Sequence, residues 1–100
     1  MGSDIRDVFE REQSVSETEW LRSLPGAVRG HPLALPAPGA AVVTIGPGTL
    51  QLHWTVLPPR RMALIQLPRM KISYRFDGVD AEARQAFMRY FDLSTHRGGG

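Results

Sequence analysis

Apolar and polar residues alternate along two stretches in the second half of the chain, 49–57 and 69–76. A period of two is the pattern of a β-strand that buries one face and leaves the other in water. We therefore expect two half-buried antiparallel strands that share one core. Their apolar phase consists of Leu50, Leu52, Trp54, Val56, Met70, Ile72, Tyr74 and Phe76.

The segments before residue 49 predict a hairpin preceded by a less regular stretch. Residues 41–45 consist mostly of β-forming residues, and Gly46-Pro47-Gly48 is a turn signal, so this strand should pair with the one that begins at 49. Residues 25–41 contain four prolines and three glycines. We expect a loop there, or an irregular edge strand around residues 32–35.

Three further prolines are expected to divide the strand-rich centre. Pro58 and Pro59 have no backbone N–H to donate, which predicts that the strand beginning at 49 ends before them. Residues 62–67 are mostly apolar and predict another short strand. Pro68 should interrupt that strand before the second alternating stretch begins. The prediction is therefore a sheet of about four strands.

Helical spacing appears first at the N-terminus. Residues 3–13 place Ile5, Val8 and Phe9 on one helical face, with Ser3 as an N-cap. This segment is either the first part of a broken helix or a frayed terminus, residues 1–13, before a single helix.

A second helix is predicted to start behind Ser16. Ser16 and Glu19 have the spacing of a capping box, in which each side chain bonds the backbone N–H of the other residue. Its apolar face would contain Trp20, Leu21 and Leu24. Pro25 and Gly26 are expected to stop it.

A third helix is predicted over residues 80–92. Asp80 is a suitable N-cap, and the negative charge of Glu82 in the first turn interacts favourably with the positive end of the helix dipole. Residues 93–100 are expected to form a flexible tail. The apolar positions with helical spacing are Val79, Ala83, Ala86, Phe87, Tyr90 and Phe91.

Helix, strands and helix in this order predict an α+β domain. Strands that follow one another without intervening helices favour an antiparallel sheet, here packed against the C-terminal helix. The alternative is a small open β-barrel with flanking helices, because proline and glycine kinks allow a sheet to curl. Residues 1–100 should form a single domain.

Composition excludes several classes of protein. The chain is 42% hydrophobic and contains no cysteine, so disulfides, thiolate metal sites and cysteine nucleophiles are excluded. No apolar run approaches the ~18 residues of a membrane helix, and the charged start lacks the apolar core of a signal peptide. We therefore expect a cytoplasmic protein without membrane association. Arginine supplies eleven of the twelve basic residues, and glycine and proline together number 18, as in proteins from GC-rich bacterial genomes.

The distribution of charge is the strongest indication of function. No acidic residue occurs between Glu19 and Asp77, whereas seven basic residues do. If the two alternating strands lie in one sheet with their polar residues on the same side, that side of the sheet is basic. Arg60-Arg61 would project from the segment that connects the two strands. We expect a non-enzymatic domain that presents this face to an acidic protein, or as an alternative binds nucleic acid weakly and without sequence preference. The candidate binding residues are Arg60, Arg61, Arg69, Lys71, Arg75 and His53.

Three other interpretations of these residues remain open. A sheet face in water must carry polar residues in any case, and basic residues also prevent aggregation of strand edges. The six carboxylates before Trp20 could neutralise the basic face within the chain. A homodimer could form through an unpaired strand edge, most readily at residues 62–67.

The sequence contains no pattern for catalysis, metal or cofactor. His31, His53 and His96 lie far apart and lack the spacing of metal ligands. Gly46-Pro47-Gly48 connects two predicted strands, and so differs from a P-loop or dinucleotide fingerprint, which precedes a helix. The aromatic residues of the alternating strands fall on the inward phase, which weakens the nucleic-acid alternative.

Overall fold

The described part of the chain folds into a five-stranded antiparallel sheet with two helices on one face. The computed structural model describes residues 6–96, and the strand order is β1-β5-β4-β3-β2. The predicted α+β class and antiparallel sheet are confirmed, with one strand more than expected. The sheet has β1 and β2 at its two edges and does not close into a barrel, so the two-layer arrangement and not the barrel alternative is found. The elements are β1 (Val8–Gln13), α1 (Glu17–Ala27), β2 (Leu33–Ala37), β3 (Ala40–Ile45), β4 (Gly48–Met62), β5 (Ile65–Asp77) and α2 (Ala81–His96).

Aromatic contacts place both helices on the predicted apolar face. Trp20 of α1 packs edge-on against Trp54 of β4, with ring centroids 5.6 Å apart. Phe91 of α2 lies 6.2 Å from Tyr74 of β5. Of the eight residues assigned to the apolar phase, seven are buried and Val56 is exposed. Val56 lies beyond the last pairing of β4 with β3, where the sheet has narrowed.

The N-terminal segment forms a strand, so the helix predicted over residues 3–13 is wrong where the structure describes it. β1 runs antiparallel to β5, in a register that begins with Val8 opposite Arg75. Phe9 stacks on Tyr74 at 4.5 Å, and Arg11 Nη1 donates to Asp92 Oδ1 of α2 at 2.6 Å. These contacts with distant residues select the strand. The first five residues lie outside the described part.

Helix α1 starts as predicted and ends later. Ser16 Oγ accepts from the backbone N–H of Glu19 at 3.2 Å, which confirms the N-cap. The expected stop at Pro25 is wrong, because the helix continues to Ala27. Pro25 is exposed in the last turn, so water can reach the carbonyl left without its partner, while Ala27 and Val28 are buried behind it.

The three central prolines lie in a bulge rather than at strand ends. Leu57 pairs with Arg69 and Arg60 pairs with Leu67, so two residues of β4 oppose one residue of β5. These residues are Pro58, Pro59 and Pro68. A bulge is a position where a missing N–H costs no ladder hydrogen bond. The predicted strand end at Pro58 and the separate strand at 62–67 are therefore wrong, since β4 and β5 form one long hairpin.

The far part of this hairpin, residues 57–67, extends beyond the rest of the sheet, and we call it the arm. The pairing of β3 with β4 ends at His53, and the pairing of β1 with β5 ends at Met70. The arm is therefore two-stranded, and in the described structure no strand lies along either of its edges. It turns through Ala63 and Leu64, and Ala63 has a positive φ of 56°.

The remaining predictions concern the edge strand and the last helix. Residues 33–37 form the irregular edge strand β2, with Pro36 at the sheet edge. Asp80 Oδ1 accepts from the N–H of Ala83 at 2.9 Å, which confirms the N-cap of α2. The helix extends through residue 96, so the expected tail from residue 93 is wrong for 93–96. Residues 97–100 lie outside the described part.

Candidate partner-binding surface

The sheet face opposite the helices is open to solvent and carries most of the predicted binding residues. Strand register places Lys71 beside Thr55, and Ser73 beside His53. Arg69 and Arg75 share this face through the alternation of β5. The expectation that the polar phases of β4 and β5 lie side by side is therefore met. We call this surface the open face.

Strand β1 brings two of the six N-terminal carboxylates onto this face. Register brings Glu10 opposite Ser73 and Glu12 opposite Lys71. Glu12 makes a bidentate ion pair with Arg69: Arg69 Nε donates to Glu12 Oε2 at 2.8 Å, and Arg69 Nη2 donates to Glu12 Oε1 at 3.2 Å. Hydrogen bonding by Arg69 lowers the pKa of Glu12, and the same pair raises the pKa of Arg69. The interpretation that N-terminal acids neutralise the basic face thus holds for Arg69.

Arg69 also fixes the base of the arm. Its Nη1 donates to the backbone carbonyl of Pro58 at 3.2 Å, inside the bulge. One guanidinium therefore connects the end of β1, through Glu12, to the point where the arm leaves the sheet. This use of its donors makes Arg69 a structural residue.

Arg75 is the next most compensated of the candidate residues. Its Nε lies 3.7 Å from Asp77 Oδ2, and both side chains are well exposed. Gln51 Nε2 also donates to that carboxylate oxygen, at 3.4 Å. Exposed pairs of this kind contribute about 0–1 kcal/mol, so Arg75 remains available to a stronger partner.

The side chains of Lys71 and His53 make no hydrogen bond or ion pair within residues 6–96. Both are exposed on the open face. His53 borders a shallow depression of about 520 Å³. Its polar lining is mixed in charge, since it includes Glu10, Asp77 and Arg75. The centre of the open face is therefore close to neutral.

Arg60 and Arg61 are the candidate residues with the least compensation. Both are exposed on the arm, and neither guanidinium makes a hydrogen bond or ion pair with any other described residue. Arg60 is near enough to Glu12 for its charge to help lower the pKa of that carboxyl. The positive charge of the surface is thus concentrated away from the open face, on the arm.

The arm also carries exposed apolar side chains that are not among the six candidate binding residues. Leu64 at its tip is 101% exposed, Ile65 60% and Met62 54%. The apolar run at 62–67 predicts only an ordinary short strand. A run bounded by prolines, preceded by two arginines and lacking acids was the signal available for an exposed ribbon.

The described residues contain no group of three or more His, Cys, Asp or Glu side chains that could hold a metal ion. Neither of the two described helices is long and apolar enough to cross a membrane. No family model, curated protein or solved structure matches this chain.

The Glu12–Arg69 pair predicts a specific dependence of stability on pH. Because the pKa of Glu12 is below its ordinary value of 4.5 in the folded protein, the unfolded chain takes up a proton first as the pH falls. The stabilisation by Glu12 should be complete above pH 4.5 and be lost as the pH falls through the lowered pKa. Glu12→Gln should therefore be less stable than wild type at pH 7, with a difference that shrinks below pH 4.5.

Urea unfolding between pH 3 and pH 7 measures this difference. Glu10→Gln is the matched control, because Glu10 lies on the same face of β1 and accepts only a 3.4 Å bond from Ser73. If the two variants lose stability equally and with the same pH dependence, the ion pair does not have the role assigned to it.

Proposed function

We propose that the protein is a small non-enzymatic interaction domain that binds an acidic protein partner. The binding surface consists of Arg60 and Arg61 on the arm, with Lys71, Arg75 and His53 on the adjoining open face. The observation that carries the proposal is that Arg60 and Arg61, on a projecting hairpin, form no ion pair with any residue of the described range 6–96, whereas Arg69 is neutralised by Glu12.

Arginine suits this role because its planar guanidinium is weakly hydrated and can bond a carboxylate through two N–H groups. A partner that brings carboxylates to the arm meets no carboxylate from the arm itself. Charges on such a surface accelerate association and select the partner more than they strengthen the complex. A partner rich in Asp and Glu therefore fits this surface.

The pKa values give no support for catalysis. Those of Glu12 and Arg69 are shifted by their own ion pair. Burial raises the pKa of the Tyr74 hydroxyl, which is closed off from solvent. A catalytic group is typically shifted by its surroundings and open to a cleft, and none of these three combines both properties.

A protein partner is better supported than nucleic acid. Single-stranded nucleic acids bind to sheets by stacking bases on exposed aromatic rings. Trp54, Tyr74 and Phe76 are all buried under the helices. The open face also carries Glu10 and Glu12, which repel a phosphate backbone. The salt dependence of binding separates the two classes, since nucleic-acid affinity falls steeply with salt.

Titration of the ¹⁵N-labelled protein with a Glu-rich peptide and with a single-stranded oligonucleotide tests the proposal. We expect the peptide to shift the amide signals of Arg60, Arg61 and Lys71. The double variant Arg60→Glu, Arg61→Glu should bind it at least tenfold more weakly, which corresponds to about 1.4 kcal/mol.

The matched control is Arg22→Glu, Arg89→Glu, which changes the net charge equally at exposed positions of the two helices. It should change affinity by less than about twofold. Equal losses in both double variants would show that only net charge matters, and would contradict the assigned surface. Preferential binding of the oligonucleotide, with a steep salt dependence, would replace the protein partner by nucleic acid.

A further inference from the structure

The tip of the arm combines exposure with a conformation that its sequence does not favour. A two-residue hairpin turn with positive φ usually contains glycine or asparagine, yet this turn has Ala63 at φ 56° followed by the fully exposed Leu64. Met62 and Ile65 on either side are more than half exposed. An exposed apolar group of this size that does not serve folding is typical of a binding site.

We propose that the arm is an insertion element: Met62, Leu64 and Ile65 enter an apolar groove of the acidic partner, while Arg60 and Arg61 pair with carboxylates at the groove rim. This inference rests on the proposed function, and it adds that the partner carries an apolar groove flanked by Asp or Glu. Burial of each such apolar side chain stabilises a complex more than an exposed ion pair does.

The base of the arm is built to hold its direction. Pro58, Pro59 and Pro68 fix backbone φ angles at the bulge. Arg69 links the carbonyl of Pro58 to Glu12 of β1. Leu57 and Leu67, one on each strand of the arm, are only partly exposed. A preorganised element loses less conformational entropy when it binds, so the tip is presented at low cost.

Backbone chemistry favours a protein groove over a lipid bilayer as the occupant. The arm is a two-stranded ribbon, and in the described structure neither edge has a neighbouring strand. Inside hydrocarbon its outward N–H and C=O groups would have no hydrogen-bond partner, which is strongly unfavourable. A protein groove can supply hydrogen-bond partners to the same edge groups.

Charge disfavours a second copy that pairs arm to arm. The arm contains Arg60 and Arg61 and no acidic residue. Two arms side by side would bring these like charges together, without a carboxylate from either arm to separate them. The strand-edge homodimer expected at residues 62–67 is therefore less favourable at this position than a complex with an acidic protein.

Photo-crosslinking followed by affinity measurement tests the insertion. A photoreactive phenylalanine analogue replaces Leu64 in the full chain, or Leu35 as the control. Leu35 is 56% exposed on the edge strand β2. After irradiation in extract of the source cells, position 64 but not position 35 should crosslink to one protein. The crosslinked segment should be apolar and flanked by Asp or Glu, as mass spectrometry identifies it.

Calorimetry with that purified protein then separates the two proposals. Leu64→Ser, Ile65→Ser should weaken binding about 100-fold at unchanged thermal stability, whereas Leu35→Ser should have no effect. If the tip variant binds like wild type but Arg60→Glu, Arg61→Glu does not, the insertion is wrong and the acidic partner stands. If only the tip variant loses affinity, the proposed charge recognition is wrong.

Two further results would overturn the inference. The first is a crosslink from position 64 to a second copy of this chain, accompanied by a concentration-dependent increase in mass in sedimentation. The second is co-sedimentation with vesicles of phosphatidylcholine and phosphatidylglycerol that Leu64→Ser, Ile65→Ser abolishes. The first would assign the tip to self-association and the second to a membrane surface.

Discussion

Replacing Trp20 with alanine should destabilise the protein by about 3–5 kcal/mol, the range for loss of a large aromatic side chain from a core. Trp20 is 1% exposed, and its ring lies 5.6 Å from Trp54 and 5.9 Å from Phe91. It therefore connects α1 to both the sheet and α2. Domains of this kind have about 5–15 kcal/mol of stability in total, so the variant should retain only a fraction of it.

Urea unfolding followed by circular dichroism measures this loss, and Trp20→Phe is its control. Phenylalanine keeps an aromatic ring in contact with the sheet and removes the indole N–H, which is buried and has no hydrogen-bond partner among the described residues. We expect Trp20→Phe to lose less than half as much stability as Trp20→Ala. A loss below about 1 kcal/mol for Trp20→Ala would show that α1 does not seal the core.

The alternation of apolar residues was sufficient to predict the central sheet. Along most of β4 and β5, one face of the strand packs against the helices and the other lies in solvent. Leu50, Leu52 and Trp54 meet the helices, while Gln51 and His53 meet solvent. Local side-chain chemistry also predicted both helix N-caps correctly, since capping depends on residues three positions apart.

Strand β1 was not predictable by the same reasoning. Among its inward positions only Phe9 is apolar; the next is Arg11, whose partner Asp92 lies 81 residues away in sequence. Helical spacing of Val8 and Phe9 therefore gave the stronger local signal. The strand forms because β1 can pair with the edge of β5. The local residues give the helix and the strand similar free energies, so contacts with residues distant in sequence decide which of the two forms.

Prolines gave a misleading signal for a different reason. Their missing N–H breaks a strand only where the ladder needs a donor, and the sequence does not show which positions oppose each other. Pro58, Pro59 and Pro68 fall together in one bulge, so the hairpin continues past all three. The arm, and with it the exposure of Leu64, follows from this pairing.

The candidate site was predictable in composition but not in charge balance. The six basic or potentially basic residues were identified from the absence of acids over 57 intervening positions, from 20 to 76. The acids that compensate some of them come from elsewhere in the chain: Glu12 is 57 positions from Arg69. Only the register of β1 shows that the open face is partly neutralised and that Arg60 and Arg61 are not.

Replacing Gly48 with alanine should cost about 3 kcal/mol, at the upper end of the usual penalty for overpacking. Gly48 begins β4 and is buried against the turn that follows β5. A Cβ atom there would overlap the backbone carbonyl oxygens of Asp77 and Gly78. Because backbone atoms cannot rotate away as a side chain can, the two segments would have to separate where Thr49 pairs with Asp77.

Two other glycines separate this crowding from general effects of alanine. Gly46 lies in the turn between β3 and β4. It has a φ of 56° but no neighbouring atom within 4 Å of the place where an alanine Cβ would lie, so Gly46→Ala should cost only about 1–2 kcal/mol for the left-handed backbone. Gly26 in α1 has open space and no positive φ, so Gly26→Ala should be neutral or stabilise by up to about 1 kcal/mol. Urea unfolding should therefore show the largest loss of stability for Gly48→Ala, a smaller loss for Gly46→Ala and none for Gly26→Ala. If Gly48→Ala is as stable as Gly46→Ala, the start of β4 and the turn after β5 are not in close contact. That result would contradict the packing described for the end of the long hairpin opposite the arm.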